Sequence, residues 1–269
     1  MAAGHSASRI AGGVAIALCC ALPSSAQQKP EAPPAGFSLG LTYGAGWNSN
    51  PLELTGRRKG DAFLGSEIIA GYRWNLWDGA TLAVSATAFS ELYGRETGGG
   101  INRLAFGATI SQKWGDTTLT LGASTRTAAN QHLTAHDSAS SDLSLGLSHP
   151  VKLTDSLTLI ANTSLARRFM NDGTEDQWRS RFGLTLARKW EKWTFRLGGS
   201  FGHTIEDKTP ILPRINDRSL GAFIAAAYEW EKDREVTMRL GYTRMYSSYP
   251  ADRYQAFSFS PQVSATLRF

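Results

Sequence analysis

Cysteine is nearly absent from this 269-residue sequence, and both examples, Cys19 and Cys20, fall near its start. The rest of the chain has no thiol to ligate a metal, oxidise or attack a substrate, and no disulfide framework. Long hydrophobic runs are missing too. No stretch of about 18 apolar residues occurs, so no helix that crosses a bilayer is encoded. Apolar residues are nowhere sustained at helical spacing. Charge of one sign is also lacking: 28 Lys and Arg against 23 Asp and Glu give a net +5, spread along the chain. That balance excludes a nucleic-acid partner.

What is present begins with a leader. Arg9 precedes the apolar run GGVAIALCCAL (12–22), and Ser24 and Ala26 are small residues at the −3 and −1 positions before Gln27. Residues 1–26 are therefore expected to be a cleaved secretory signal peptide, its apolar run too short to span a membrane. Leu18 before Cys19 argues against lipidation. Residues 27–36, QQKPEAPPAG, form a Pro-rich polar linker, leaving 37–269 as one domain.

From Phe37 onward the apolar period is two. FSLGLTYGAGW puts Phe37, Leu39, Leu41, Tyr43 and Trp47 on one face and Ser38, Thr42 and three glycines on the other. The same alternation recurs in INRLAFGATISQKW, SLTLIANTSL and WRSRFGLTLARKW. Each such segment reads as a strand with one apolar and one polar face. Twelve strands are expected, over 37–48, 62–76, 80–93, 101–114, 117–128, 141–152, 156–169, 177–190, 193–205, 218–230, 235–246 and 255–269. The connections alternate between short turns such as WGDT and WEKW and longer polar loops such as NQHLTAHDSAS and EDKTPILPRIND. An even number of antiparallel strands with short turns at one end and long loops at the other predicts an all-β, closed transmembrane barrel with periplasmic turns and extracellular loops.

A soluble barrel shows the same alternation with its apolar face inward, so the aromatic positions decide. Trp74, Trp77, Trp114, Trp190, Trp193 and Trp230 border short turns, while Trp47 and Trp178 border long loops. Indole rings collect where an apolar medium meets water, and these positions read as membrane-interface anchors. The chain ends SFSPQVSATLRF, alternating to a terminal Phe269. This strand resembles the last strand of bacterial outer-membrane barrels, whose final aromatic residue is read by the barrel-assembly machinery. The resemblance implies a Gram-negative outer-membrane location, with outer-membrane lipid and lipopolysaccharide as surroundings. A fainter echo lies in YGAGWNSNPLEL (43–54), similar to a stretch in barrels that serve export of surface polysaccharide or protein. Its bland reading is that Asn48, Asn50 and Pro51 turn the first loop.

Parity assigns the lumen. Arg73, Arg103, Lys113, Arg126, Arg168, Arg179, Arg181, Lys189, Arg196, Arg239 and Arg268 are expected inward, against fewer acids: Glu67, Glu91, Asp142, Glu229 and Glu235. Guanidinium groups bind carboxylate, phosphate and sulfate in bidentate fashion. Arg103, Arg126, Arg168, Arg179, Arg181, Arg196 and Arg239 are thus candidate contacts for anionic solutes. By strand number and lumen charge the architecture is similar to the twelve-stranded porins for acidic oligosaccharides. The expected function is passive diffusion of small or oligomeric anions, the alternatives being an export accessory or a closed structural barrel.

Catalysis is not expected. If WEKW is a two-residue turn, Ser180 and His203 face one another outward near the long-loop end, but no third residue to orient the histidine is evident. His132, His136 and Asp137 carry ligand-type side chains in a stretch with no helical spacing to converge them, and no metal or cofactor is expected. The topology has a direct check, because a chain without cysteine after the leader gives a clean background for labelling. In intact cells an impermeant maleimide should label Gly98→Cys in a long loop and leave Asp116→Cys in a short turn unlabelled; the reverse pattern would invert the barrel.

Overall fold

The computed structural model describes residues 35–53, 59–171, 175–207 and 215–269. The expected signal peptide and residues 27–34 of the linker lie outside them. Twelve strands run in chain order: β1 (Gly36–Asn48), β2 (Asp61–Trp77), β3 (Ala80–Tyr93), β4 (Ile101–Trp114), β5 (Thr117–Asn130), β6 (His136–Lys152), β7 (Leu157–Met170), β8 (Gln177–Trp190), β9 (Trp193–Glu206), β10 (Asn216–Glu231), β11 (Arg234–Ser247) and β12 (Tyr254–Arg268). Every strand pairs antiparallel with its chain neighbours, and β1 pairs with β12 to close the barrel. Single 3-10 turns at Thr97–Gly99 and Pro250–Asp252 are the helical elements among the described residues.

The apolar face is outside. Phe106 is 52% exposed, Ile224 52% and Leu197 57%, whereas the buried apolar residues include only Tyr93 and Ile101 among large side chains in the strands. Water on that outer face would oppose folding, since burial of apolar area is the main driving force. Hydrocarbon removes the objection, and closure then satisfies the backbone without an edge. This inversion separates the fold from a soluble barrel.

The strand bounds follow the sequence expectation closely, with one larger departure. β6 begins at His136 rather than 141, and His136 Nε2 lies 3.2 Å from Thr127 Oγ1 across the β5 ladder. Residues HDSAS offer only the small Ala139 as an apolar residue at an outward position, so alternation could not reveal them.

The short turns are tight. Trp190 pairs directly with Trp193, and Glu191 takes a left-handed φ of 52° to make the reversal. Gly79 and Gly115 do the same at φ 70° and 57°. Bulges at Asn75/Trp77 and Glu229/Glu231 fall beside such turns, and the first brings Trp77 to the outer surface.

Near the β1–β12 seam, inward glycines make room. A Cβ on Gly46 would run into the Phe259 carbonyl and the inward Phe63 ring, while one on Gly40 finds its nearest atoms at 3.8 Å. Gly46→Val should therefore cost about 1–3 kcal/mol or more through overpacking. It should deplete the folded, heat-modifiable band on electrophoresis, whereas Gly40→Ala should leave that band unchanged.

Candidate functional site: a two-walled lumen mouth

Register places every expected lumen arginine on the inner surface. Phe89 pairs with Arg103, Ala105 with Arg126, and Arg126 with Ser140. Asp142 pairs with Arg168, while Ala166 and Ser164 pair with Arg179 and Arg181. All these positions share the inward parity of Glu67, Gly107 and Ser124. Arg196 and Arg239 share it too, on β9 and β11, with the Arg239 guanidinium 4.0 Å over the Phe223 ring.

The five arginines of β4, β5, β7 and β8 form one wall near the long-loop end. Arg168 grips Asp142 with both arms of its fork, Nε to Oδ1 at 2.7 Å and Nη2 to Oδ2 at 3.0 Å. Its side chain is only 8% exposed. Arg126 donates from Nε to Ser140 Oγ at 3.0 Å, and Arg103 lies 5.6 Å over Phe89. Arg179 and Arg181 make no ion pair among the described residues. Each sits in the electrostatic field of the others: Arg126, Arg168 and Arg181 all act on Arg179. Asp142 alone compensates several positive groups, leaving a net positive wall.

Of the facing wall, Glu67 and Glu91 were expected inward, while Glu53, Asp61 and Asp217 were not foreseen. Asn50, 2% exposed, anchors the first-loop turn by donating from Nδ2 to the Gln255 carbonyl at 3.3 Å and from its backbone to Asn48 Oδ1 at 2.9 Å. Glu53 closes that turn through its N–H to Asn50 O at 3.1 Å, and its carboxylate accepts from the Tyr254 hydroxyl. Tyr93 donates to Glu91 Oε1 at 2.9 Å and accepts from Asn48 Nδ2 at 3.2 Å. Asp61 Oδ2 accepts from the backbone of Arg95 at 2.6 Å and Glu96 at 2.8 Å. Glu67 and Glu91 feel Arg103, which joins the two walls. Asp217 adds another inward carboxylate on β10. Two signals existed in the sequence: the alternation of β10 extended back to Asp217, and the Asn-rich turn after β1 already read as such.

The outward pair is also in register. Ser180 faces His203 directly, and the ring finds a third residue, Asn216, with His203 Nε2 2.7 Å from Asn216 Oδ1. No hydrogen bond joins Ser180 to His203 among the described residues. The tryptophans expected at the short-turn end lie on the outer surface, Trp77 and Trp190 being 64% and 63% exposed. Phe269 donates its N–H to the Phe37 carbonyl at 2.9 Å, and the two rings lie 5.9 Å apart across the seam.

Comparison with solved structures gives the class. An outer membrane channel from Pseudomonas putida F1 superposes with a TM-score of 0.56 at 12% identity, covering 90% of this chain and 99% of that one. The chain has the fold of bacterial outer-membrane β-barrels. A bacterial polysaccharide outer membrane secretin matches at a TM-score of 0.51 and 10% identity, over 86% of this chain and 98% of that one. A looser likeness, TM-score 0.46 at 10% identity over 84% of this chain and 98% of that one, is to the KdgM porin. No family model and no curated protein matches the sequence.

Loss of solvent around Glu53 is the main cause that pushes its carboxyl from the usual 4.5 up to about 7; Glu91 reinforces the rise and the Tyr254 hydrogen bond opposes it. Between pH 4.5 and about 7 the docked turn keeps a proton that the undocked chain has released. Docking is thus strongest at the low end of that window, weakens as pH rises through it, and is level above. Hydrogen exchange at Leu52 and Glu53, corrected for intrinsic rates, should show protection falling across this window in the wild type and staying flat in Glu53→Gln. The same pH dependence in both proteins would remove Glu53 as the titrating group.

Proposed function

We propose that the chain forms an outer-membrane channel for passive passage of anionic solutes, small or oligomeric. The observation that carries this reading is the arginine wall of Arg103, Arg126, Arg168, Arg179 and Arg181. One carboxylate, Asp142, is ion-paired within it, and Arg179 and Arg181 have no ion-pair partner among the described residues. Guanidinium groups on a low-dielectric wall attract carboxylate and phosphate groups and replace part of their hydration. An unbranched anionic chain would meet these side chains in succession along β4, β5, β7 and β8. Arg196 and Arg239 extend the positive lining toward the short-turn end.

The surrounding residues take supporting roles in this reading. Trp74, Trp77, Trp114, Trp190, Trp193 and Trp230 anchor the barrel at the inner interface, where indole is favoured. Phe269 is the residue that the assembly machinery engages, and residues 1–26 direct export and are removed.

Planar-bilayer recording under a salt gradient tests the proposal. The purified barrel should conduct and show a reversal potential of anion-selective sign. In the double variant Arg179→Gln/Arg181→Gln that potential should move toward zero by roughly half, because the wall's field falls with its charge. Absence of conductance, or cation selectivity in the wild type, would overturn the channel reading. A silent barrel would direct attention to the export role suggested by residues 43–54.

A further inference from the structure

At the long-loop end, arginines also appear on the outer surface. Arg167 is one of them, and it is neutralised: its guanidinium bonds Asp207 and, at 3.2 Å, Asp176, and lies over Trp178 at 5.3 Å. Arg218 and Arg244 are different. Both are exposed, both point outward on β10 and β11, and neither forms an ion pair among the described residues.

These two residues are diagonal neighbours on one outer face. Arg218 faces Tyr246 across the β10–β11 ladder, and Arg244, two residues deeper, pairs with Leu220. Diagonal neighbours of this kind lie about 7–8 Å apart, within reach of two long side chains. Arg244 does not extend away: its guanidinium lies 4.7 Å from the Tyr246 ring centre. Since Tyr246 is the ladder partner of Arg218, the Arg244 guanidinium lies at the rim within reach of the Arg218 side chain. His203, the β9 partner of Arg218, borders it with another polar ring. Directly below are apolar outward side chains, Phe201 at 43% and Leu220 at 45% exposure. Among the described residues the neighbouring outward strand positions carry no acid: they are Asn216, Tyr246 and Gln255 on β10, β11 and β12.

We infer that Arg218 and Arg244 form a binding site for the phosphate of a phosphorylated lipid in the outer leaflet. Two guanidinium forks give charge-assisted hydrogen bonds to phosphate oxygens. The apolar surface beneath accepts the acyl chains of the same molecule. A positive pair at the edge of a low-dielectric slab lacks a counter-charge of its own, and a headgroup phosphate at that depth supplies one. This assignment is independent of what crosses the lumen, so it survives if the channel reading fails.

The test uses the intact barrel in detergent, with diphosphoryl lipid A as probe, the same lipid after enzymatic dephosphorylation, and inorganic phosphate. Native mass spectrometry of the wild type should retain the diphosphoryl lipid in preference to the dephosphorylated one. Arg218→Gln/Arg244→Gln should weaken retention of the phosphorylated lipid roughly tenfold or more and erase the preference. Arg188→Gln, an outward arginine at the opposite end, should leave it intact. Heat-modifiable migration confirms that each variant is folded. If the double variant does not fold, the single variants Arg218→Gln and Arg244→Gln carry the same comparison, each expected to weaken retention. An undiminished preference in the folded variants overturns the site. Inorganic phosphate that binds as tightly as the lipid overturns the lipid assignment.

Discussion

The β1–β12 ladder joins Ser38 to Arg268 at one end and Asn48 to Ser258 at the other, and so turns an open sheet into a surface without edges. In hydrocarbon an unpaired backbone group costs several kcal/mol, and no water is present to relieve it. Everything else in the molecule answers to that closure. The terminal strand must reach the first one, so Phe269 lies against Phe37. The inward side of β1 must stay thin where strands crowd, hence the run of glycines opposite Phe259 and Pro261. With the backbone satisfied by the ladders, side chains on the two surfaces are released for separate work.

That separation explains why the fold was so legible. Lipid on one side and water on the other impose strict alternation, and alternation is what a sequence displays most openly. Where the constraint lapses, legibility lapses with it. Residues 136–140 pair with β5 above the apolar band, so nothing obliges their outward positions to be hydrophobic. The same holds for the mouth. The arginines lie within regular strands and could be assigned by parity from their neighbours. Glu53 could not: it is placed by a turn whose hydrogen bonds run from Asn50 to Gln255, 205 residues away in sequence. Asp61 stands at a strand start, where polar sequence looks the same in a ladder and in a loop. The partner of His203 was hidden for a similar reason, because Asn216 opens β10 after a long polar stretch.

The mouth is consequently organised by arc. Strands β4 to β8 contribute Arg103, Arg126, Arg168, Arg179 and Arg181, with Asp142 held inside the group by Arg168. The remaining arc, from β10 round to β3, contributes Asp217, Glu53, Asp61, Glu67 and Glu91, interleaved with Tyr93 and Tyr254. The acidic arc is cross-braced by hydrogen bonds, and the basic arc is tied at Arg168–Asp142 and Arg126–Ser140. A closed cylinder tolerates this arrangement because its shape is fixed by backbone pairing and not by attraction between the walls.

One consequence belongs to the pair of arcs and to neither alone. If the lumen is open as proposed, opposite charges on its two arcs set up a field perpendicular to the barrel axis. A solute with charge at one end feels a pull to one side, but a solute with a dipole feels a torque. In the proposed channel, a solute entering this mouth would be turned before it is translated, and its passage would depend on how its charges are distributed along its length as well as on how many it carries.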